Sequence, residues 1–261
     1  VTTPPPAAVE IQDLWKRFGQ QIAVAGLTLR LPSGSFIGLV GPNGAGKTTT
    51  LSMVTGLLRP DHGRILVHGT DVWQDPVEVK ARIGVLPEGL RMFERLSGRE
   101  LLQYNGRLRG MPGAEVDRRA DELLRVLDLA GAGAKLVADY STGMRKKIGL
   151  AAALLHNPDV LFLDEPFEGV DPVSAQTIRG VLKRYAETGS TVVFSSHVME
   201  LVEQLCDWVA VMNAGQVVAQ GPLDTVRGDR SLHQAFLELV GVRDDAAASL
   251  DWLGAHPGGA Q

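Results

Sequence analysis

Cysteine is nearly absent from this chain: Cys206 stands alone among 261 residues. One thiol can build neither a disulfide framework nor a Cys cluster for a metal, so the composition points to a reducing compartment and away from a small secreted scaffold. Long apolar runs are also missing. No uninterrupted apolar stretch reaches the ~18 residues that a helix needs to cross a bilayer. The opening Val1-Thr2-Thr3-Pro4-Pro5-Pro6-Ala7-Ala8 lacks the basic, then apolar, layout of a secretory signal. Any membrane role is therefore expected to run through a partner. Nor is there a basic excess: 26 Lys and Arg face 30 Asp and Glu, for a formal net charge of −4. That balance argues against a broad nucleic-acid surface.

What is present is a chain long enough for one large α/β domain, or for such a domain with an inserted lobe. The most informative stretch is Gly41-Pro42-Asn43-Gly44-Ala45-Gly46-Lys47-Thr48, which follows the apolar run Phe36-Ile37-Gly38-Leu39-Val40 and leads into Thr49-Thr50-Leu51. It reads as strand, glycine-rich loop, helix, and it matches the P-loop pattern in full. Glycines let backbone N–H groups turn inward around a phosphate, and the helix start adds orphan donors and a positive dipole end. Lys47 supplies a point charge, Thr48 can place its hydroxyl on Mg²⁺, and Thr49 joins the expected nucleotide contacts. The plainer alternative is a glycine turn that binds nothing.

Before the P-loop, Val9–Leu14 and Leu27–Leu31 alternate apolar and polar residues, as half-buried antiparallel strands would. Between them, Trp15-Lys16-Arg17-Phe18-Gly19 offers aromatics that either pack a strand edge or, at Phe18, stack on a base. After it, short strands are expected at Arg64–His68 and Ile83–Pro87, with a helix from Pro76 to Ala81 between them. Helical spacing runs from Ser97 to about Leu129, and another helix runs from Thr142 to the Asn157-Pro158 stop. Val160-Leu161-Phe162-Leu163 reads as a parallel strand covered on both faces. A helix over 173–188, a strand over 191–195, a helix over 198–206 and a hairpin around Asn213-Ala214-Gly215 follow. An amphipathic helix over 231–240 leads to a loose tail through Asp244, Asp245 and Trp252.

A P-loop alone leaves many NTPases open, and the later stretches narrow them. Asp164 and Glu165 emerge where the buried strand ends, the place where open parallel sheets bind ligands. An Asp there can hold Mg²⁺ and a Glu can orient or deprotonate water. A merely solvent-facing acidic exit is the alternative.

Over roughly residues 9–221 the sequence resembles the nucleotide-binding subunit of ATP-binding-cassette (ABC) transporters. Gly41–Thr48 looks like Walker A, and Tyr140-Ser141-Thr142-Gly143-Met144 like the signature loop. Val160–Glu165 looks like Walker B, Glu168-Gly169-Val170-Asp171 like the D-loop, and Ser195-Ser196-His197 like the switch histidine. The resemblance implies an α/β P-loop NTPase with a mostly parallel core sheet, an N-terminal antiparallel β subdomain and an inserted helical subdomain at about 89–157. The ATP-binding domain would span 1–227, followed by a C-terminal helix and flexible tail over 228–261. It further implies hydrolysis of ATP with Mg²⁺ in a head-to-tail dimer, where each ATP lies between the P-loop of one copy and the Ser141, Thr142, Gly143 and Met144 loop of the other. By resemblance, Phe18 sits against adenine, His197 contacts the γ-phosphate and the water, and Glu165 activates that water. Asp171 acts across the dimer interface, with an N-cap role before Pro172 as its local alternative.

The sequence departs from the family at two places. Glu88 stands where the family usually carries Gln; it adds negative charge beside Mg²⁺ and is still expected to reach the metal shell. Thr142 replaces a signature glycine, which restricts the backbone there. Arg145-Lys146-Lys147 is expected to be the solvated face of a helix and not a nucleic-acid patch. The implied partner is a separate integral-membrane permease, most like the exporter branch, with the chain cytoplasmic and peripheral on the inner face of the membrane. The rival readings are a soluble ATPase acting on nucleic acid or ribosomes, and a nucleotide-dependent regulator. No nucleic acid is expected.

Overall fold

The computed structural model describes residues 6–89 and 91–241; the expected tail through Asp244, Asp245 and Trp252 lies outside them. The chain opens with a long antiparallel hairpin, β1 (Ala7–Phe18) against β2 (Gln21–Pro32). Both strands run further than the expected Val9–Leu14 and Leu27–Leu31, and Trp15–Phe18 are the last residues of β1, not a segment between strands. The reason is that the ladder is bulged at several places. Register shifts occur between the Ile11/Leu29 and Leu14/Leu27 pairs and again before Trp15/Ala25, with Asp13 at φ 47° and Gly26 at φ 69°. Extra residues break the two-residue alternation while the ladder continues.

Next come β3 (Phe36–Val40), α1 (Lys47–Val54), β4 (His62–Val67) and β5 (Thr70–Asp71). One sheet has the order β2-β1-β4-β5. Helix α2 (Pro76–Arg82) starts on an Asp75 cap with Pro76 in its first turn, and β6 (Ile83–Leu86) follows. The segment up to the next core strand is helical. It contains α3 (Gly98–Leu108), opened by a Ser97/Glu100 capping box, α4 (Gly113–Val126), two short 3₁₀ turns and α5 (Thr142–Leu154). The chain then returns through β7 (Val160–Leu163), α6 (Pro172–Glu187), β8 (Thr191–Ser196), α7 (Met199–Leu205), β9 (Trp208–Asn213) and β10 (Gln216–Pro222). Helices α8 (Leu223–Arg227) and α9 (Leu232–Val240) end the described chain. The β9–β10 turn places Ala214 and Gly215 at φ 48° and 78°, the left-handed pair that a two-residue hairpin requires.

The second sheet has the order β10-β9-β3-β8-β7-β6, parallel except for the edge strand β10. Its central strands β3 and β7 are apolar and buried along their whole length because both faces are covered, whereas the edge strand β10 is partly exposed. Along β7, Leu161 and Leu163 enter a core shared with α3–α6, while Val160 and Phe162 enter a second core with α1 and the antiparallel sheet. The fold is therefore α/β, with a mostly parallel sheet and an antiparallel β subdomain. No helix among the described residues is long and apolar enough to cross a membrane.

Candidate active site

The parallel pairing of β3 with β8, and of β8 with β7, brings three strand exits to one edge: Gly41 after β3, Asp164 after β7 and His197 after β8. The loop after β3 wraps into α1 through Gly46, its N-cap, at φ 99° and with no side-chain cap. A Cβ on Gly46 would lie 2.5 Å from the Ala23 carbonyl oxygen, so this position needs glycine for its space as well as its torsion. With no side chain over the helix start, the first α1 amides have no intrahelical partner and are free to meet an anion.

Lys47 is buried, and its Nζ donates to the Gly41 carbonyl at 2.8 Å and to the Pro42 carbonyl at 3.3 Å. Burial lowers its pKa, while Glu165, Asp164 and Glu88 pull the other way. The Thr48 hydroxyl donates to Glu88 Oε2 at 3.2 Å. Ser195 Oγ donates to Asp164 Oδ1 at 2.5 Å and accepts from the Glu165 amide at 2.9 Å. Burial raises the Asp164 pKa, opposed by hydrogen bonding from Ser195 and Thr48. The single Thr48 proton serves only one of its two carboxylate neighbours at a time.

Glu165 adopts φ 44°, a left-handed conformation uncommon outside glycine. Its Oε2 meets His197 Nδ1 at 3.1 Å, and its pKa is raised by burial, with the His197 hydrogen bond as the main opposing effect. Lys47, Thr48, Glu88, Glu165 and His197 face an open cleft of about 480 Å³, which Phe18, Asn43, Gly44, Ala45 and Thr49 also line, whereas Asp164 and Ser195 are buried and do not line it. Phe18 is half exposed, with Lys16 Nζ 5.7 Å from its ring centre. The lining suits a nucleotide: an aromatic face at one end, then amides and a lysine, then carboxylates beside a histidine. Thr48, Glu88 and Asp164 offer only oxygen donors, the set that hard cations prefer, and a cation would offset the cost of burying the Asp164 charge. Among the described residues no group of three or more His, Cys, Asp and Glu side chains is arranged to hold a metal by itself.

Ser141, Thr142, Gly143, Met144 and Asp171 do not line this cleft. Ser141 caps α5, its Oγ accepting from the Met144 amide at 3.2 Å, and Asp171 caps α6, accepting from the Ser174 amide at 2.9 Å. The two helix starts pack together: a Cβ on Gly143 would lie 2.7 Å from Ser174 Oγ and 2.8 Å from Asp171 Oδ2. Thr142 is the first helical residue and keeps an ordinary negative φ, so a glycine is not needed there. The expected solvated face at Arg145-Lys146-Lys147 is corrected. Lys146 and Lys147 are buried, and Arg145 binds Glu94 and the carbonyls of Ala138 and Tyr140. The basic run folds inward because α5 is packed between the core and the Glu165 loop. Sequence reasoning also missed Ser195 as an organiser of the site. Its only signal is strand register, since Leu163 pairs with Phe194 and Ser195 follows.

A family model described as ABC transporter matches residues 24–168. The daunorubicin resistance ATP-binding protein DrrA3 of Streptomyces coeruleorubidus is 41% identical over 222 residues, covering 85% of this chain and 70% of that protein. The linearmycin resistance ATP-binding protein LnrL of Bacillus subtilis is 36% identical, with 82% and 68% covered, and its ABC transporter ATP-binding protein NatA is 39% identical, with 78% and 83% covered. Among solved structures, an ATP-binding subunit of an ABC transporter superposes with a TM-score of 0.83 at 29% identity, covering 89% of this chain and 99% of that one. A dimeric ATP-binding cassette in a post-hydrolysis state, bound to ADP and Pi, has a TM-score of 0.75 at 22% identity, covering 82% and 98%. At that identity the likeness speaks for the fold alone.

Proposed function

The chain belongs to the ABC transporter family as an ATP-binding, ATP-hydrolysing component, and from that premise we propose that it powers a separate membrane-spanning permease and serves export. The observation that carries this reading is the one-sided cleft. Lys47, Glu165 and His197 face it, while the Ser141–Met144 loop opens elsewhere on the same chain. A second copy arranged head to tail would supply the missing side, with Ser141 and the amides near Gly143 meeting the γ-phosphate and Asp171 lying at the interface. Export is favoured by relatives named as resistance ATP-binding proteins. In this reading the chain works in the cytoplasm, held at the inner face of the membrane by the permease. Residues 1–227 form the ATP-binding unit, with the helical lobe at 89–157 as its contact with the permease.

Phe18 stacks on adenine, and Lys47 with the loop amides of residues 41–49 holds the phosphates. Thr48, Glu88 and Asp164 would hold Mg²⁺, which when bound neutralises charge on the phosphates. Glu165 accepts a proton from the attacking water, and His197 steadies both the carboxylate and the water. Glu88→Ala is expected to lower turnover and its coupling to transport, and normal values for both would remove Glu88 from the metal shell.

The decisive test is Glu165→Gln. It should keep ATP binding, accumulate an ATP-bound dimer visible by light scattering, and lose about 10²- to 10⁴-fold in turnover. Co-purification of the wild-type chain with a membrane protein would identify the permease. Absence of turnover even with that partner would defeat the reading.

A further inference from the structure

Lys146 lies five residues beyond Ser141 on the buried side of α5, and its Nζ donates to the backbone carbonyl of Glu165 at 2.8 Å. This is the one residue of the cleft's acidic edge that holds a left-handed backbone without being glycine. A conformation of that kind persists only where the surroundings over-determine it. Here they act from three directions. Ser195 receives the Glu165 amide, His197 meets its carboxylate, and Lys146 takes its carbonyl, which the Glu168 amide also approaches at 3.3 Å. The first two contacts come from β8 and the residue that follows it, whereas the third comes from α5. Burying an ammonium is costly, and the surrounding carboxylates of Glu168, Asp164, Glu88 and Glu165 favour its charged form without any of them standing in ion-pair contact among the described residues. A lysine kept buried to bind one carbonyl is a poor stability device, since an apolar side chain of similar volume would fill the space at less desolvation cost.

Resting on the reading of Glu165 as the residue that activates water, we propose that Lys146 is a positioning residue for hydrolysis: it fixes the backbone of Glu165 from the helix that begins at the Ser141–Met144 loop. The carboxylate at one nucleotide site thereby depends on the helix whose opening loop serves the opposite site. Without Lys146 the Glu165 carbonyl would keep only the longer contact from the Glu168 amide, at 3.3 Å against 2.8 Å, and a shift of about 1 Å in a reacting group can cost on the order of 10²-fold in rate.

The test compares steady-state ATP hydrolysis and equilibrium ATP binding by the full chain. Lys146→Met removes the donor at nearly constant length. It should lower kcat roughly 10- to 100-fold while KM and ATP affinity stay within about twofold. Lys146→Arg keeps a donor and should recover most of kcat. Thermal melting confirms that each variant is folded. A folded Lys146→Met with wild-type kcat, a loss confined to KM, or a Lys146→Arg as slow as Lys146→Met would overturn the proposal. Should Lys146→Met fail to fold, Lys146→Gln, whose amide is too short to reach the carbonyl, takes its place against Lys146→Arg, and equal rates for the two would count against it. Failure of this inference leaves the role of Glu165 standing. Wild-type turnover in Glu165→Gln would remove that role itself.

Discussion

Helices α1 and α5 both begin at small-residue loops, and both bury a lysine that donates to backbone carbonyls, yet their first turns are finished differently. The start of α1 has glycine at its N-cap and no side chain over its amides. The start of α5 has Ser141, whose Oγ already accepts from the Met144 amide. Lys47 reaches back over its own loop to Gly41 and Pro42, while Lys146 reaches out to Glu165, nineteen residues further along the chain. An uncapped helix end leaves donors to be filled, so α1 is built to take an anion into the cleft of its own chain. A capped end is stable by itself and can face solvent until another surface meets it. The Ser141 hydroxyl still has its proton to give, so capping and phosphate binding are compatible.

Substitutions at the two helix starts can break this contrast. The largest effect is expected for Lys47→Met, which removes a charge from the uncapped end. ATP affinity of the isolated chain should fall by about 1.5–3 kcal/mol, read by equilibrium binding. If Lys146→Met weakens binding equally, the two lysines are not distinct in role. Gly143→Ala comes next. Its Cβ would crowd Ser174 and Asp171, and overpacking of this kind costs typically ~1–3 kcal/mol, seen as a lower melting temperature with single-chain ATP affinity intact. Ser141→Ala removes the α5 cap and should cost about 1 kcal/mol of stability by denaturant unfolding. It should also slow turnover without weakening single-chain binding.

The smallest effect sharpens the electrostatic side of the comparison. Burial raises the folded-state pKa of Glu165 above its unfolded value. The folded chain therefore binds that proton more tightly than the unfolded chain does, and the ionised carboxylate costs stability at neutral pH. That cost is relieved as pH falls through the raised pKa. Nucleotide-free Glu165→Gln should accordingly melt slightly above wild type at pH 7, with the gap closing on acidification. A variant that melts lower throughout would mean that the His197 contact outweighs burial.

Much of the site could be read in the chain because its parts are local. Gly41–Thr48 carries its own geometry: glycines where φ is positive, lysine and threonine at the helix start. The buried strand ending in Asp164-Glu165 is equally local, since an apolar run followed by two acids marks a covered strand leaving a parallel sheet. The bulged hairpin was harder. Asp13 and Gly26 interrupt the alternation on which strand reading depends, and so Trp15–Phe18 looked like a break when it continues β1. Arg145-Lys146-Lys147 departs from its local pattern for a related reason. Three consecutive cations normally face water, and only the packing of α5 against the Glu165 loop supplies the carbonyl that lets Lys146 turn inward.

By itself, then, the amino-acid order marked out a candidate phosphate cradle, because such a cradle is made from backbone torsions and one lysine within eight consecutive residues. Tertiary structure alone decided what holds Glu165. Ser195 and His197 reach it by the register of β8 beside β7, and Lys146 by the packing of α5. Those partners lie 19 to 32 residues away in either direction along the chain, and contacts at that separation come from how sheets and helices stack, which no short pattern encodes.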